Sequence, residues 1–145
     1  VGTIPVFRHG RNAVFKVDDS GGTLRDLTAM LREVSMPRTV DLAETSAFGT
    51  FDKTFVVGMR EGRLSVGGMF SASAATEVDP VLAGILGQEA SVTFEYGPEG
   101  STTGRVRYTG ECYLTSYEVS SPIGDMVSLT AEFAVTGAVT RNTWP

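Results

Sequence analysis

Apolar and polar residues alternate most clearly in the second half of the chain. Over residues 91–96 the apolar positions are Val92, Phe94 and Tyr96. Over 127–139 the odd positions read Val, Leu, Ala, Phe, Val, Gly, Val and the even positions Ser, Thr, Glu, Ala, Thr, Ala. A period of two buries one strand face and leaves the other polar. The segment 105–119 begins with Val106 and Tyr108 inward, continues with Cys112 and Leu114, then shifts parity to Tyr117 and Val119. A bulge near Thr115 accounts for the shift, because one extra residue re-aims every side chain after it. In the first half, residues 14–17 read as a short strand ended by Asp18-Asp19-Ser20-Gly21-Gly22, a cluster rich in turn formers. Phe55, Val57 and Met59 alternate, as do Leu64, Val66 and Phe70, and Glu61-Gly62 between them reads as a hairpin turn.

Two segments carry helical spacing. Leu24, Leu27, Leu31 and Val34 recur with that period, with Thr23 as N-cap, Asp26 three residues on and Met36-Pro37 as the stop. Asp26 serves equally as the cap of a shorter helix, and the stretch around Glu33 to Met36 also fits a strand. The second helix has Asp79 as cap, Pro80 at its first position, an apolar stripe of Val78, Leu82, Ile85 and Leu86, and Gly87 at its end. The pattern predicts a mainly β fold, a β-sandwich or barrel with one or two short flanking α-helices. One domain over 1–145 suits the length. Residues 1–12 read as an N-terminal arm and 138–145 as a C-terminal arm. Residues 39–52 hold Leu42, Ala47, Phe48 and Phe51 without clean periodicity, so they read as a long loop whose aromatic content argues against disorder. Trp144, at the end of the chain, needs something to cover it.

Charge and chemistry narrow the function. The net charge of −5 and pI near 4.8 do not offer the basic face that nucleic-acid recognition uses. No apolar run reaches the length of a membrane span, and the first residues lack the apolar core of a cleaved leader. The single cysteine, Cys112, excludes an internal disulfide, and its place on the inward face makes it a buried, inert thiol. The single histidine, His9, would have to serve any Ser–His–Asp or Cys–His set; in a Pro- and Gly-flanked arm it reads as a solvated or interface residue. One Cys and one His cannot make a zinc site. The Asp18–Gly22 cluster lacks the spacing of a calcium loop and reads as a plain turn. Residues 97–104 are glycine-rich but have no Gly-Lys-Ser/Thr ending, so they read as a strand connection. No catalytic, metal or cofactor set is expected, and the chain reads as a non-catalytic structural subunit.

The order of several weak motifs is more specific than any one of them. Val92-Thr93-Phe94-Glu95-Tyr96-Gly97-Pro98-Glu99-Gly100 is followed by Gly104-Arg105-Val106-Arg107-Tyr108-Thr109-Gly110, Leu114-Thr115-Ser116-Tyr117, Ser121-Pro122-Ile123-Gly124-Asp125 and Leu129-Thr130-Ala131-Glu132-Phe133, then Gly137 and Arg141. Leu24-Arg25-Asp26-Leu27-Thr28, Val34-Ser35-Met36-Pro37 and Glu44-Thr45-Ser46-Ala47-Phe48-Gly49 precede them. This succession resembles the tail tube, or major tail, proteins of long-tailed bacteriophages over nearly the whole chain. The resemblance implies six copies in a ring, rings stacked into a tube, and genomic DNA passing through without specific binding. It implies tail-tip, tape-measure and tail-terminator partners, a place in the virion tail and synthesis in the host bacterial cytoplasm. Segment 39–52 and the termini then become inter-ring contacts, with Leu42, Phe48, Phe51 and Trp144 as anchors. The strand face Ser128, Thr130, Glu132 and Thr136 becomes a lumen or outer surface. Two other readings stand beside this one: a tube subunit of a contractile tail or type VI-like injection machine, and a monomeric β-sandwich that binds a carbohydrate or protein.

Overall fold

A computed structural model describes residues 4–145. Its strands are β1 (Val14–Asp18), β2 (Leu24–Asp26), β3 (Leu31–Ser35), β4 (Arg38–Glu44), β5 (Phe55–Met69), β6 (Val92–Gly97), β7 (Val106–Ser120) and β8 (Ser128–Thr143), with helix α1 (Val78–Ile85) between β5 and β6. They form one antiparallel sheet in the order β2-β1-β6-β7-β8-β5-β3, and β4 continues the line of β3 along β5.

The sheet is bent onto itself. Phe15 on β1 and Phe133 on β8 are separated in the sheet by β6 and β7, which in a flat sheet is about 14 Å. Their rings nevertheless lie 6.0 Å apart, tilted by 51°. The bend is made where the long β7–β8 pair loses register. One irregularity lies between Thr109 and Glu111, opposite Gly137 in left-handed backbone (φ 78°), and the other between Leu114 and Ser116. The second is the bulge expected near Thr115; its extra residue changes the parity of β7, so Tyr117 points inward as Leu114 does. The fold is therefore a half-barrel whose two halves face each other as the layers of a sandwich do. Phe15, Val17, Phe94, Leu64, Val66, Leu129, Ala131 and Phe133 fill the space between, each at most 2% exposed.

Helix α1 closes one side of this core with Val78, Val81, Leu82 and Ile85 buried. The stripe differs by one position from the one expected, since Val81 points inward and Leu86 is half exposed. Its N-cap is Glu77 rather than Asp79. Asp79 instead accepts a 2.6 Å hydrogen bond from the Tyr117 hydroxyl, tying the helix to β7.

Four further expectations are corrected. The segment 24–34 is not a helix: β2 pairs with β1, a short 3-10 turn spans Thr28–Met30, and β3 pairs with β5. Leu31 and Val34 share a face because a bulge between Leu31 and Glu33 inserts one residue, which converts strand period into apparent helical spacing. Glu61-Gly62 is not a turn, because β5 runs straight through it. Gly62 is buried beneath Val135, and a Cβ there would meet the Val135 Cβ at 3.4 Å; the glycine admits a close neighbour. Residues 39–52 are not a structureless loop, since β4 occupies their first part. The C-terminal arm expected over 138–145 is mostly β8, paired with β7 as far as Val106↔Thr143. Of the expected N-terminal arm, residues 1–3 lie outside the described residues. The rest is exposed and ends in a 3-10 turn at Gly10–Asn12.

Phe133 packs where the two halves meet, so Phe133→Ala is expected to cost about 3–5 kcal/mol of unfolding free energy. Thr130→Ala, on the outward face of the same strand, should change it by less than about 0.5 kcal/mol. Urea unfolding followed by far-UV circular dichroism measures both.

Candidate functional site

The polar contacts of the described residues brace turns and tie neighbouring elements together. The Asp19 carboxylate accepts from Gly21 N at 2.9 Å, Thr23 N at 3.0 Å and Arg25 Nε at 2.8 Å, so the Asp18–Gly22 cluster is a self-satisfied turn. Those bonds, the Arg25 one above all, hold its pKa below the ordinary carboxylate value. Glu77 accepts from the Ser71 hydroxyl and from Ser73 N and Oγ, which stitches the 71–77 loop and lowers its pKa in the same way. His9 Nδ1 accepts from Arg11 N at 3.0 Å and braces the 3-10 turn. Cys112 is 0% exposed, and burial pushes its thiol up to about 12. Burial and the bond to Asp79 likewise raise the Tyr117 hydroxyl.

These shifts fix a pH response. Asp19 and Glu77 bind protons more readily unfolded than folded, so their contribution is present at neutral pH and disappears as pH falls through and below about 4. Tyr117 and Cys112 hold their protons more tightly when folded, so their contribution is lost as pH rises past their unfolded values, about 9–10. Thermal unfolding across pH 3–11 should therefore give a plateau that declines on both sides. Glu77→Gln should flatten the acid limb and Tyr117→Phe the alkaline one.

The features that stand out in this subunit are edges and exposed apolar groups. β5, β8 and β7 are paired over Arg63↔Ala134 to Met69↔Ser128 and over Ser116↔Glu132 to Ser120↔Ser128. β6 pairs with β7 only as far as Cys112. Residues 113–120 of β7 thus have β8 on one side and no strand on the other among the described residues. β3 is likewise bare on the side away from β5, and β4 prolongs that edge. A four-stranded unit, β3-β5-β8-β7, is bounded by two unpaired strands, each a row of backbone donors and acceptors ready to pair.

The outward face of this unit is acidic. The register sets Ser65, Glu132 and Ser116 in one row and Thr130 beside Glu118 in the next, with Glu33 on β3. Thr130 and Glu132 are exposed and Ser128 is half-buried, so three of the four residues proposed from sequence for this face lie together. Thr136 does not join them, because it lies beyond the bend, opposite Glu111. Glu33, Glu118 and Glu132 form no ion pair among the described residues, whereas Arg63, Arg107, Arg25 and Arg8 each pair with a carboxylate.

A two-stranded hairpin, β4 with the first half of β5, projects from the body. Its register runs from Arg38↔Gly62 to Glu44↔Phe55. Leu42 is exposed on it, and Phe48 and Phe51 at its tip are 108% and 102% exposed. Val40, Phe55, Val56, Val57 and Met59 are exposed as well; from sequence, Phe55, Val57 and Met59 read only as an alternating strand, and none of the five was offered as a contact residue. Their signal was the unbroken run Phe55-Val56-Val57, which puts apolar groups on both faces of one strand, as in a strand covered on both sides.

Trp144 is placed differently. It is 7% exposed and is covered by its own chain. Its ring lies 5.3 Å from Lys16 Nζ and 5.2 Å from Arg107 Cζ, and its edge rests on Gly97, where a Cβ would come within 2.8 Å of Trp144 Nε1. Trp144 N donates to Arg105 O at 2.9 Å and Gly104 N donates to Trp144 O at 3.0 Å, so the chain end fastens the β6–β7 connection. As the only tryptophan, it reports on this seat. Gly97→Ala should shift its emission to the red and lower stability by about 1–3 kcal/mol; unchanged emission would show that the seat tolerates a methyl group.

A bent half-barrel with a flanking helix, bare sheet edges and an apolar projecting hairpin defines an assembly-forming β subunit. Residues 8–141 match the phage tail tube protein family, and the chain belongs to that family. It is accordingly a structural tube protein and not an enzyme. No curated protein matches it by sequence. Among solved structures it is similar to the tail of an empty gene transfer agent particle refined with C6 symmetry (17% identity, TM-score 0.78, covering 94% of this chain and 100% of that one). It is also similar to the SPP1 tail tube (11% identity, TM-score 0.75, 94% and 79% covered). A third similarity is to the sheath–tube complex of an extracellular contractile injection system (13% identity, TM-score 0.65, 97% and 92% covered).

Proposed function

We propose that this chain is the repeating subunit of a phage tail tube in the virion tail, made in the host bacterial cytoplasm and assembled as stacked hexameric rings. The observation that carries the reading is the pair of bare edges bounding the β3-β5-β8-β7 unit. Pairing β3 of one copy with residues 113–120 of β7 in the next closes a ring and removes both edges. Each copy then contributes four strands to a continuous inner barrel. The acidic face bearing Thr130, Glu132 and Glu118 lines the lumen, where it repels phosphates and lets DNA pass without being retained. The hairpin carrying Leu42, Phe48 and Phe51 joins one ring to the next. Tail-tip, tape-measure and tail-terminator proteins are the partners such a tube requires at its ends and in its lumen. A tube within a contractile machine is the second reading, favoured by the likeness to the sheath–tube complex; a sheath protein that co-purifies with the tube would decide for it.

Two substitutions separate the interfaces. Val119→Lys puts a charge on the bare β7 edge, as monomeric proteins do to prevent pairing. It should leave a folded monomer that forms no rings in sedimentation velocity. Phe48→Ala with Phe51→Ala should leave rings but reduce stacking into tubes at least tenfold, since interface aromatics carry much of the binding energy. Normal rings from Val119→Lys would sink the edge-pairing arrangement.

A further inference from the structure

The two ends of β5 differ in a way that bears on how rings stack. The hairpin tip lies at its N-terminal end, with Phe48 and Phe51 fully exposed. At its C-terminal end Met69 pairs with Ser128, and Phe70 N donates to Val127 O at 3.0 Å. This places the β7–β8 turn, residues 121–127, at the opposite pole of the same strand. That turn is apolar and bare: Ile123 is 105% exposed and Met126 52%. Gly124, in left-handed backbone (φ 86°), turns the chain so that Ile123 stands at its crest.

We infer that the β7–β8 turn is the receiving surface for the β4–β5 hairpin tip of a copy in the adjoining ring; this rests on the tube reading. Rings stacked in one direction must join unlike surfaces, head to tail, and the joined surfaces must lie at opposite poles of the subunit. The hairpin tip and the turn meet that condition. One pole presents two aromatic rings and the other an aliphatic group with a polarisable thioether, a pairing that suits sulfur–aromatic contact. The competing receiver is the groove at the base of the hairpin, lined by Val40, Met59 and Val139. It lies near the middle of β5, at the hairpin base Arg38↔Gly62, short of the opposite pole, and its use would leave Ile123 and Met126 bare in every ring.

The two receivers predict different spacings. The 15 residues of β5 span about 50 Å, and a barrel-strand tilt of about 35–45° brings the pole-to-pole repeat to about 35–40 Å. Counted from the same end of β5, the hairpin base at Gly62 lies only eight residues along and gives about 20 Å.

The test is a cysteine pair in the full chain, Phe48→Cys with Ile123→Cys, oxidised after assembly and run on a non-reducing gel. Cys112 is buried with its thiol pushed up, so it adds no background. Tip and turn are too far apart to join within one chain, so head-to-tail contact gives a ladder of multimers, and each single-cysteine variant gives at most dimers. Phe51→Cys with Met126→Cys is the second pair should the first not assemble. A ladder from either pair, with an axial repeat near 35–40 Å by electron microscopy, is the expected result. Tubes that form without a ladder, or a ladder from Phe48→Cys with Met59→Cys instead, overturn the inference while leaving the tube reading intact. A wild-type protein that forms no tubes overturns both.

Discussion

The structure depends on the bend in the β7–β8 pair. Two register breaks, one opposite Gly137 and one at Thr115, let a single antiparallel sheet fold over until Phe15 and Phe133 meet. Without them the two long strands would continue a flat ribbon, and the apolar faces of β1 and β6 would have nothing to bury against. Burial of those faces is the main favourable term in folding the subunit, and helix α1 and the Trp144 seat close its remaining sides.

The same bend creates the surfaces on which the proposed assembly rests. β6 follows β7 only to Cys112 because β7 turns away beyond it, so the second part of β7 is left as an edge. β3 and β4 form the other edge, broken at Met36-Pro37 and bare along their outer side. A monomer with such edges is exposed to uncontrolled pairing; a ring turns the liability into its joint. The hairpin and the β7–β8 turn hold exposed apolar groups at opposite poles, so in the proposed tube lateral closure and axial stacking use separate parts of one subunit.

Much of this was legible in the sequence, and what was missed has physical causes. β6, β8 and the bulge at Thr115 could be read because each strand has one buried and one solvated face, so alternation and its change of parity are visible. The segment 24–34 misled because a bulge at Arg32 brings Leu31 and Val34 onto one face at a spacing of three. Glu61-Gly62 misled because its glycine serves close packing against Val135 rather than a turn. Phe48 and Phe51 stood out from sequence as aromatics in a stretch without clean periodicity, and only the tail-tube resemblance made them candidate contacts. Trp144 was not placed, because its cover comes from Gly97, Lys16 and Arg107, residues distant along the chain. The face of Ser128, Thr130 and Glu132 followed from simple alternation, while Thr136 was lost at the bend, where alternation no longer tells which part of the sheet a residue belongs to.

The central claim is that the bare edges of this half-barrel are completed by copies of the same chain. Electron microscopy of the purified protein over a range of concentrations tests it most directly. The account predicts closed rings and, at higher concentration, tubes of uniform diameter. A folded protein that stays monomeric and evenly dispersed at every concentration would contradict it.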